Sequence, residues 1–368
     1  MDGNERSDNC LAGRSVLITG ATGSLGSALV HRLLSGHHGV PAAVILFSRD
    51  EFKQFHLRKI LDSEYGTSTC RLDFRLGDVR DFAAVQQALR SADVVFHTAA
   101  LKQVPQCEYN PIEAVQTNVM GLVNLVRAAS LGSSPVEAVI AASTDKACHP
   151  INVLGMTKAL QERILIAASA NAPTIRFMCA RYGNVLASRG SVVETFRTQI
   201  RDGGPVTLTR RDMTRFVVTL DDAVDALIAL YSFGRDGEIF VPRAPGVRIQ
   251  TLAETLIGSR SVPIRETGLR PGEKIHEVLI NEDEVPLTTE RDGYYVLAPM
   301  LRSSSRPIQS PLNGPFRSDH QLLDRPSMEA ILRSLRLLAS SADLKLTPTP
   351  KLDRRPAARA AWSSSARR

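Results

Sequence analysis

The sequence predicts an α/β fold: a Rossmann-type doubly wound parallel sheet carrying a smaller C-terminal substrate-binding lobe. Three observations point there. Short apolar runs alternate with longer helical patterns from residue 14 to about 180. A glycine-rich turn follows the first run directly. From about residue 184 the rhythm breaks into shorter pieces with Gly203-Gly204-Pro205, Pro242, Pro245 and Pro263. Strands alternating with helices at this spacing build parallel sheets, because each parallel crossover needs a helix to bring the chain back.

The strand runs are Ser15 to Thr19, Ala43 to Phe47, Asp73 to Leu76, Val94 to Phe96, Ala138 to Ala141 and Ile175 to Met178. Most are apolar almost throughout, as strands covered on both faces are. The helical stretches between them are 24–35, 51–62, 81–90, 111–130 and 154–170. No internal repeat is visible. The predicted organisation is an N-terminal extension over 1–13, a nucleotide-binding domain over 14–183, and a mainly substrate-binding lobe over 184–302. Some segments of that lobe return to the first domain. A linker and terminal helix follow over 303–338: 303–317 is Ser/Pro-rich, and Ser327 to Leu338 is amphipathic. Residues 339–368 read as a disordered basic tail.

Composition excludes several classes. With 43% hydrophobic and 23% charged residues in 368, the chain is neither disordered overall, collagenous nor a coiled coil. Mean hydropathy is -0.08 and no run of about 18 apolar residues occurs, so no transmembrane helix is expected. The start, MDGNERSDNC, lacks the apolar segment of a signal peptide. The five cysteines are scattered and show no CxxC spacing, which points to a reducing cytoplasm and against a zinc site. The net charge of +7 does not mark a nucleic-acid binder. Residues 351–368 hold six basic residues against Asp353, and the remainder carries only +2. Neither nucleic acid nor membrane is expected as a partner.

The first run leads into Thr19-Gly20-Ala21-Thr22-Gly23-Ser24-Leu25-Gly26. Gly20 permits a tight turn, Gly23 lets backbone approach a pyrophosphate, and Gly26 lets helix and strand pack closely; the helix N-terminus then faces the phosphates. Thr22, Ser24 and Leu25 join them as cofactor contacts. The second strand ends in Phe47-Ser48-Arg49-Asp50. An acidic residue at this tip would favour NAD, whereas an arginine beside a serine suits a 2′-phosphate, so NADP is the expected cofactor. Ser48, Arg49, Asp50 and Lys53 form that end of the site. Asp78 and Val79 lie near the adenine. Thr98, Ala99 and Ala100 face the nicotinamide ribose, and Thr117 completes the set.

The fifth strand leads into Ala142-Ser143-Thr144-Asp145-Lys146-Ala147, followed by Leu154-Gly155-Met156-Thr157-Lys158. A hydroxyl, an acid and a base at a strand's C-terminal end lie where α/β sheets bind ligands. Here the sequence resembles the extended short-chain dehydrogenase/reductase superfamily. Within it, the chain resembles the UDP-N-acetylglucosamine 4,6-dehydratases that also invert C5, the capsular polysaccharide biosynthesis group. The matching blocks run from residue 14 to about 300. They are Thr19 to Gly26, Ala99 to Pro105, Thr117-Asn118, Ser143 to Ala147, Arg181 to Val185, Ser188 to Val192, Met213 to Phe216 and Arg270 to Lys274. The superfamily's Tyr-x-x-x-Lys is absent: Leu154 stands at the tyrosine position and Lys158 at the lysine position. The capsule and O-antigen branch carries methionine there, so the departure narrows the subfamily.

The resemblance implies a three-stage reaction on a UDP-sugar with tightly held NADP: oxidation at C4, loss of the C5 proton and of water, and hydride return to C6. It makes Lys146 the C5 base, Asp145 the acid at O6, Thr144 the hydrogen-bond partner of the C4 oxygen, and Lys158 a ligand of the nicotinamide ribose. Leu154 lies beside the cofactor. Cationic surroundings are expected to lower the Lys146 pKa, which suits a base. Retaining dehydratases carry glutamate where Lys146 stands, which is why inversion is expected. The acceptor of the O4 proton stays open between Lys146 and a water held by Thr144. The resemblance also implies a homo-oligomer, a hexamer.

Lys102, past the fourth strand, reaches the sugar or the cofactor rim. Asn184, Val185 and Val192 are placed at the sugar and diphosphate. Arg189, Arg215 and Arg270 are candidates for bidentate diphosphate contacts, and Glu273 for a uridine or sugar hydroxyl. His37, His38, His97 and His149 form no metal-ligand spacing, and no GxSxG elbow is present. Two other readings remain: a UDP-sugar C4 epimerase or retaining dehydratase on the same fold, and a non-catalytic NADP-binding protein.

Overall fold

The computed structural model describes residues 9–66, 68–131, 134–172, 174–301 and 309–338. Part of the N-terminal extension (1–8), the last residue of the lobe (302), part of the linker (303–308) and the basic tail (339–368) lie outside the described residues.

The first half alternates β1 (Ser15–Thr19), α1 (Ser24–Leu34), β2 (Ala43–Ser48), α2 (Glu51–Tyr65), β3 (Arg71–Leu76), α3 (Phe82–Leu89) and β4 (Val94–His97). Then come α4 (Val104–Tyr109), α5 (Pro111–Ala114), a π-helical turn (Val115–Met120) and α6 (Gly121–Ala129). The single helix expected over 111–130 is thus interrupted, and the interruption buries Thr117 and Asn118. β5 (Ala138–Ala142), a one-turn 3-10 helix (Asp145–Ala147), α7 (Val153–Asn171) and β6 (Arg176–Ala180) complete this half.

The second half contains β7 (Asn184–Val185), α8 (Val192–Arg201), β8 (Val206–Leu208), β9 (Thr214–Val218), α9 (Leu220–Phe233) and β10 (Ile239–Pro242). β11 (Gly246–Arg248), α10 (Ile249–Ile257), β12 (Ile264–Glu266), β13 (Val278–Ile280), β14 (Thr288–Arg291), β15 (Tyr294–Leu297), β16 (Phe316–Arg317) and α11 (Arg325–Ser334) follow.

The main sheet has nine strands in the order β14-β15-β10-β6-β5-β4-β1-β2-β3. The run from β10 to β3 is parallel, while β15 is antiparallel to β10 and β14 to β15. Every residue of β2, β4 and β5 is buried, because helices cover both faces. The chain leaves β1 toward β2 and β3 on one side and later fills β4, β5 and β6 on the other. This reversal opens a crevice at the carboxyl ends of β1 and β4.

A second core joins Val193, Phe196 and Ile200 of α8 to Leu252 and Leu256 of α10 and Met328 and Leu332 of α11. Beside it, β11-β9-β7 form a small sheet, β8 pairs with β12, and β13 pairs with β16. β16 therefore lies within the stretch expected to be linker. The terminal helix starts earlier and ends sooner than its apolar pattern suggests. Asp324 accepts the Ser327 N–H at 2.9 Å as N-cap, and Pro326 fits the first turn.

Candidate active site

The carboxyl ends of β1, β4, β5 and β6 open into a cavity of about 430 Å³. A second pocket of about 270 Å³ lies against the ends of β1, β2 and β3 and shares Gly23, Thr98 and Ala100 with the first. The glycine turn divides the two. Gly20 has φ +68°, and a Cβ there would lie 2.8 Å from the Ala99 backbone. A Cβ on Gly26 would collide with the Gly20 carbonyl. No side chain caps α1 at Gly23, so its first N–H groups keep their capacity for an anion.

The smaller pocket is lined by Gly20, Thr22, Gly23, Ser48, Arg49, Asp50, Lys53, Asp78, Val79, Thr98, Ala99, Ala100 and Thr117. Ser48 is buried, and its hydroxyl accepts from Gln54 Nε2 at 3.0 Å, which leaves its own proton to donate. Arg49 lies 3.6 Å from Asp78, and Lys53 lies 2.6 Å from Asp50. Thr117 Oγ1 is buried without a hydrogen-bond partner. An orphaned hydroxyl, an uncapped helix start and a cradle that a Cβ would fill all fit a dinucleotide.

The larger cavity takes Ser24, Leu25, Gly26, Lys102, Thr144, Lys146, Leu154 and Lys158 into its wall, together with Asn184, Val185, Val192 and Arg215. Lys158 is buried; its Nζ donates to the Ala142 carbonyl at 2.9 Å and to Gln161 Oε1 at 3.0 Å. Burial pushes its pKa down to about 8. Leu154, 4% exposed, supplies no proton-transfer group where a tyrosine would stand. Lys102 reaches across to Ser188 Oγ at 3.2 Å.

At the turn after β5, Lys146 Nζ donates to Asp145 Oδ1 at 3.0 Å and to Asn184 Oδ1 at 3.4 Å. Thr144 Oγ1 donates to the same Asp145 oxygen at 2.9 Å. Asp145 itself is 0% exposed and stands behind the wall, not in it. The expected acid is therefore reached from the cavity only across Thr144 or Lys146. Burial raises the Asp145 pKa, and Glu277 adds to the rise against the pull of Lys146. The expectation for Lys146 is reversed. Burial opposes its charge, but Asp145 and Glu277 outweigh burial and hold the amine above its ordinary value.

Three expected substrate residues lie outside the cavity wall. The Arg189 guanidinium donates to the Thr22 carbonyl, and its backbone N–H donates to Ser24 Oγ at 3.0 Å. Arg189 therefore straps the glycine turn and does not line the cavity. Arg270 and Glu273 sit outside it, in a turn where the Arg270 N–H donates to Glu273 Oε2 at 3.3 Å. The same turn is tied to the start of α7 by Asn152 Nδ2 donating to the Gly272 carbonyl at 2.8 Å.

Sequence reasoning gave no role to Glu277, which carries no motif spacing, or to Ser188 and Ser191, which lie inside the Ser188 to Val192 block. Tyr182, inside the Arg181 to Val185 block, is buried and forms part of the cavity wall. Behind the turn, Arg181 is buried between Glu162 at 2.6 Å and Glu284 at 2.8 Å, and Ser143 Oγ donates to Glu162 at 2.5 Å. This network fixes the backbone that carries Thr144. Among the described residues no cluster of His, Cys, Asp or Glu could hold a metal, and no helix is long and apolar enough to cross a membrane.

The family profile described as polysaccharide biosynthesis protein matches residues 16–299. The chain belongs to this family. It is 41% identical over 295 residues to the Campylobacter jejuni UDP-N-acetylglucosamine 4,6-dehydratase (inverting), covering 79% of this chain and 84% of that one. It is 42% identical over 288 residues to a Rickettsia prowazekii protein named UDP-glucose 4-epimerase, covering 77% and 82%. Among solved structures, Pen from Bacillus thuringiensis superposes with a TM-score of 0.79 at 32% identity, covering 88% of this chain and 98% of that one. The protein is thus a nucleotide-sugar dehydratase/epimerase of the extended short-chain dehydrogenase/reductase superfamily.

Proposed function

We propose that the protein is an NADP-dependent UDP-N-acetylglucosamine 4,6-dehydratase that inverts C5. Its product is a UDP-4-keto-6-deoxy-L-hexosamine for bacterial surface polysaccharide or glycan synthesis. The observation that carries this reading is the Thr144-Asp145-Lys146 turn, where an amine on the cavity wall and a carboxyl beneath it share a hydrogen bond. A 4-epimerase needs proton transfer at O4 alone. Elimination across C5 and C6 needs a base for carbon and an acid for the leaving oxygen. The turn offers both, and the relative named as an inverting dehydratase is 41% identical.

Bound NADP would take the C4 hydride and return it to C6. Ser48, Arg49 and Lys53 would hold its 2′-phosphate, the first α1 N–H groups its pyrophosphate, and Lys158 its nicotinamide ribose. Thr144 orients the C4 oxygen. Lys146 Nζ takes the C5 proton once the C4 ketone has acidified it. Asp145 holds the proton for O6, and Thr144, hydrogen-bonded to it and facing the cavity, carries it across. Lys102, Asn184, Val185, Val192 and Arg215 enclose the UDP-sugar. The protein works in the cytoplasm as a homo-oligomer, for which Tyr109, Ile112, Met156 and Leu160 offer exposed apolar surface.

Mass spectrometry of purified protein with UDP-N-acetylglucosamine tests this. Loss of one water without added reductant is the expected result. A product of unchanged mass and altered C4 configuration identifies a 4-epimerase and overturns the proposal.

A further inference from the structure

Beneath the cavity lies a second buried carboxylate that the scheme above leaves without a task. Glu277, directly before β13, is 2% exposed. Its Oε1 lies 3.7 Å from Lys146 Nζ and 3.8 Å from Arg215 Nε, and its Oε2 lies 3.6 Å from Lys274 Nζ. Its backbone is pinned at both ends by Ser318: the Glu277 N–H donates to Ser318 Oγ at 2.9 Å, and the Ser318 N–H donates to the Glu277 carbonyl at 2.9 Å. Oε2 is buried and makes no hydrogen bond. A carboxylate stays charged at such a depth only among cations, and three surround this one.

We propose that Glu277 is a positioning residue that sets the proton count of the Asp145–Lys146 pair, acting by charge and without touching the sugar. The proposal rests on the dehydratase reading for its purpose. A fixed negative charge favours the protonated form of both neighbours: it attracts the ammonium of Lys146 and repels the carboxylate of Asp145. Both groups are lifted together. The pair therefore holds its proton more firmly than it would without Glu277.

In the open site that proton sits on Nζ. Its transfer across the 3.0 Å hydrogen bond breaks one N–H bond, forms one O–H bond, and leaves a neutral amine beside a carboxylic acid. Elimination needs this state. The amine lone pair takes the C5 proton, the carboxyl proton passes to O6, and water leaves. The pair is then ammonium and carboxylate again. A solvent-derived proton reaches C5 on the face opposite Lys146 as the hydride arrives at C6, which inverts C5. Solvent received the O4 proton in the first stage and gives one back here, and the pair already holds its starting proton, so the count closes. This arrangement removes the conflict between a raised Lys146 pKa and a basic role.

The facing groups come from four places. Asp145 and Lys146 lie in the turn after β5, Asn184 in β7, Arg215 in β9, and Lys274 and Glu277 in the stretch before β13. His276 turns the other way, onto Thr214 Oγ1 at 2.9 Å and Asp319 at 4.0 Å. Arg215, Lys274 and Lys146 hold Glu277 below the usual carboxylate range against the effect of its burial.

Glu277→Gln removes the charge and keeps the shape. Carbon-13 NMR of protein labelled at aspartate carboxyls, with Asp145→Asn for assignment, reads the Asp145 titration without any substrate. The expected result is a midpoint lowered by at least about one pH unit. An unmoved midpoint overturns the proposal whatever the protein turns over. With UDP-N-acetylglucosamine, both limbs of the pH–rate profile move to lower pH in Glu277→Gln, and Glu277→Asp restores them. A loss of rate uniform across pH, with unmoved limbs, marks a structural residue and also overturns it. Should Glu277→Gln fail to fold, Glu277→Ser carries the same expectations. Wild-type protein that leaves the sugar unchanged refutes the dehydratase reading, while the Asp145 titration still decides the effect of Glu277.

Discussion

His97 makes the fold sensitive to acid. The ring ends β4 at 0% exposure, with Nδ1 2.7 Å from Thr19 Oγ1 and Nε2 without a hydrogen-bond partner. Burial, with a smaller repulsion from Lys158, lowers its pKa from 6.5 to about 3. The folded state therefore binds the neutral ring, and the unfolded chain takes up a proton first. Above pH 6.5 the residue adds no pH dependence. From 6.5 down to about 3, it removes about 1.4 kcal/mol of stability per pH unit. At pH 4.5 the loss is about 2.7 kcal/mol. His97→Asn keeps a partner for Thr19 and cannot titrate in this range. Urea unfolding of both proteins at pH 7.5 and 4.5 separates this residue from the carboxylates, which act on both alike. The variant should lose about 2.7 kcal/mol less than wild type between the two conditions. Equal losses would refute the reasoning.

Lys146→Ala should slow elimination by about 10²–10⁴-fold while NADP still binds. Single-turnover absorbance should then show reduced nicotinamide accumulating with the 4-ketone, and undiminished dehydration would rule Lys146 out as the base. Arg49→Ala should weaken NADP by about 10–100-fold and NAD far less, as loss of a charge-assisted hydrogen bond does; calorimetric titration of both cofactors reads the difference. Arg181→Met leaves Glu162 and Glu284 buried without their cation. It should cost about 3–5 kcal/mol in urea unfolding at pH 7, and an unchanged midpoint would show that the network carries little of the stability.

The parts of this fold legible in the sequence are those whose constraint is local. β1 and its glycine turn could be read because Gly20 must adopt a positive φ and Gly26 must meet the Gly20 carbonyl, whatever the rest of the chain does. Buried parallel strands could be read from their apolar runs. β16 could not, because its two residues pair with β13 inside a Ser/Pro-rich stretch. At the site, Lys146 and Lys158 stand at fixed distances after a strand, and the structure brings both to the cavity. Arg189, Arg270 and Glu273 were placed by residue type, and type does not say whether an arginine meets a ligand or a nearby carbonyl. Glu277 reaches Lys146 from a distant stretch through a contact that no spacing encodes. Asp145 and Glu277 together hold the Lys146 amine above its ordinary value, and only Asp145 adjoins it in the sequence.

Proton NMR of the purified protein with UDP-N-acetylglucosamine in D₂O tests the central claim most directly. The account predicts a new C6 methyl signal, deuterium at C5, and ring couplings altered to those of the C5-inverted 4-keto sugar. A 6-deoxy product with unaltered C5 configuration, or a sugar changed only at C4, would contradict it.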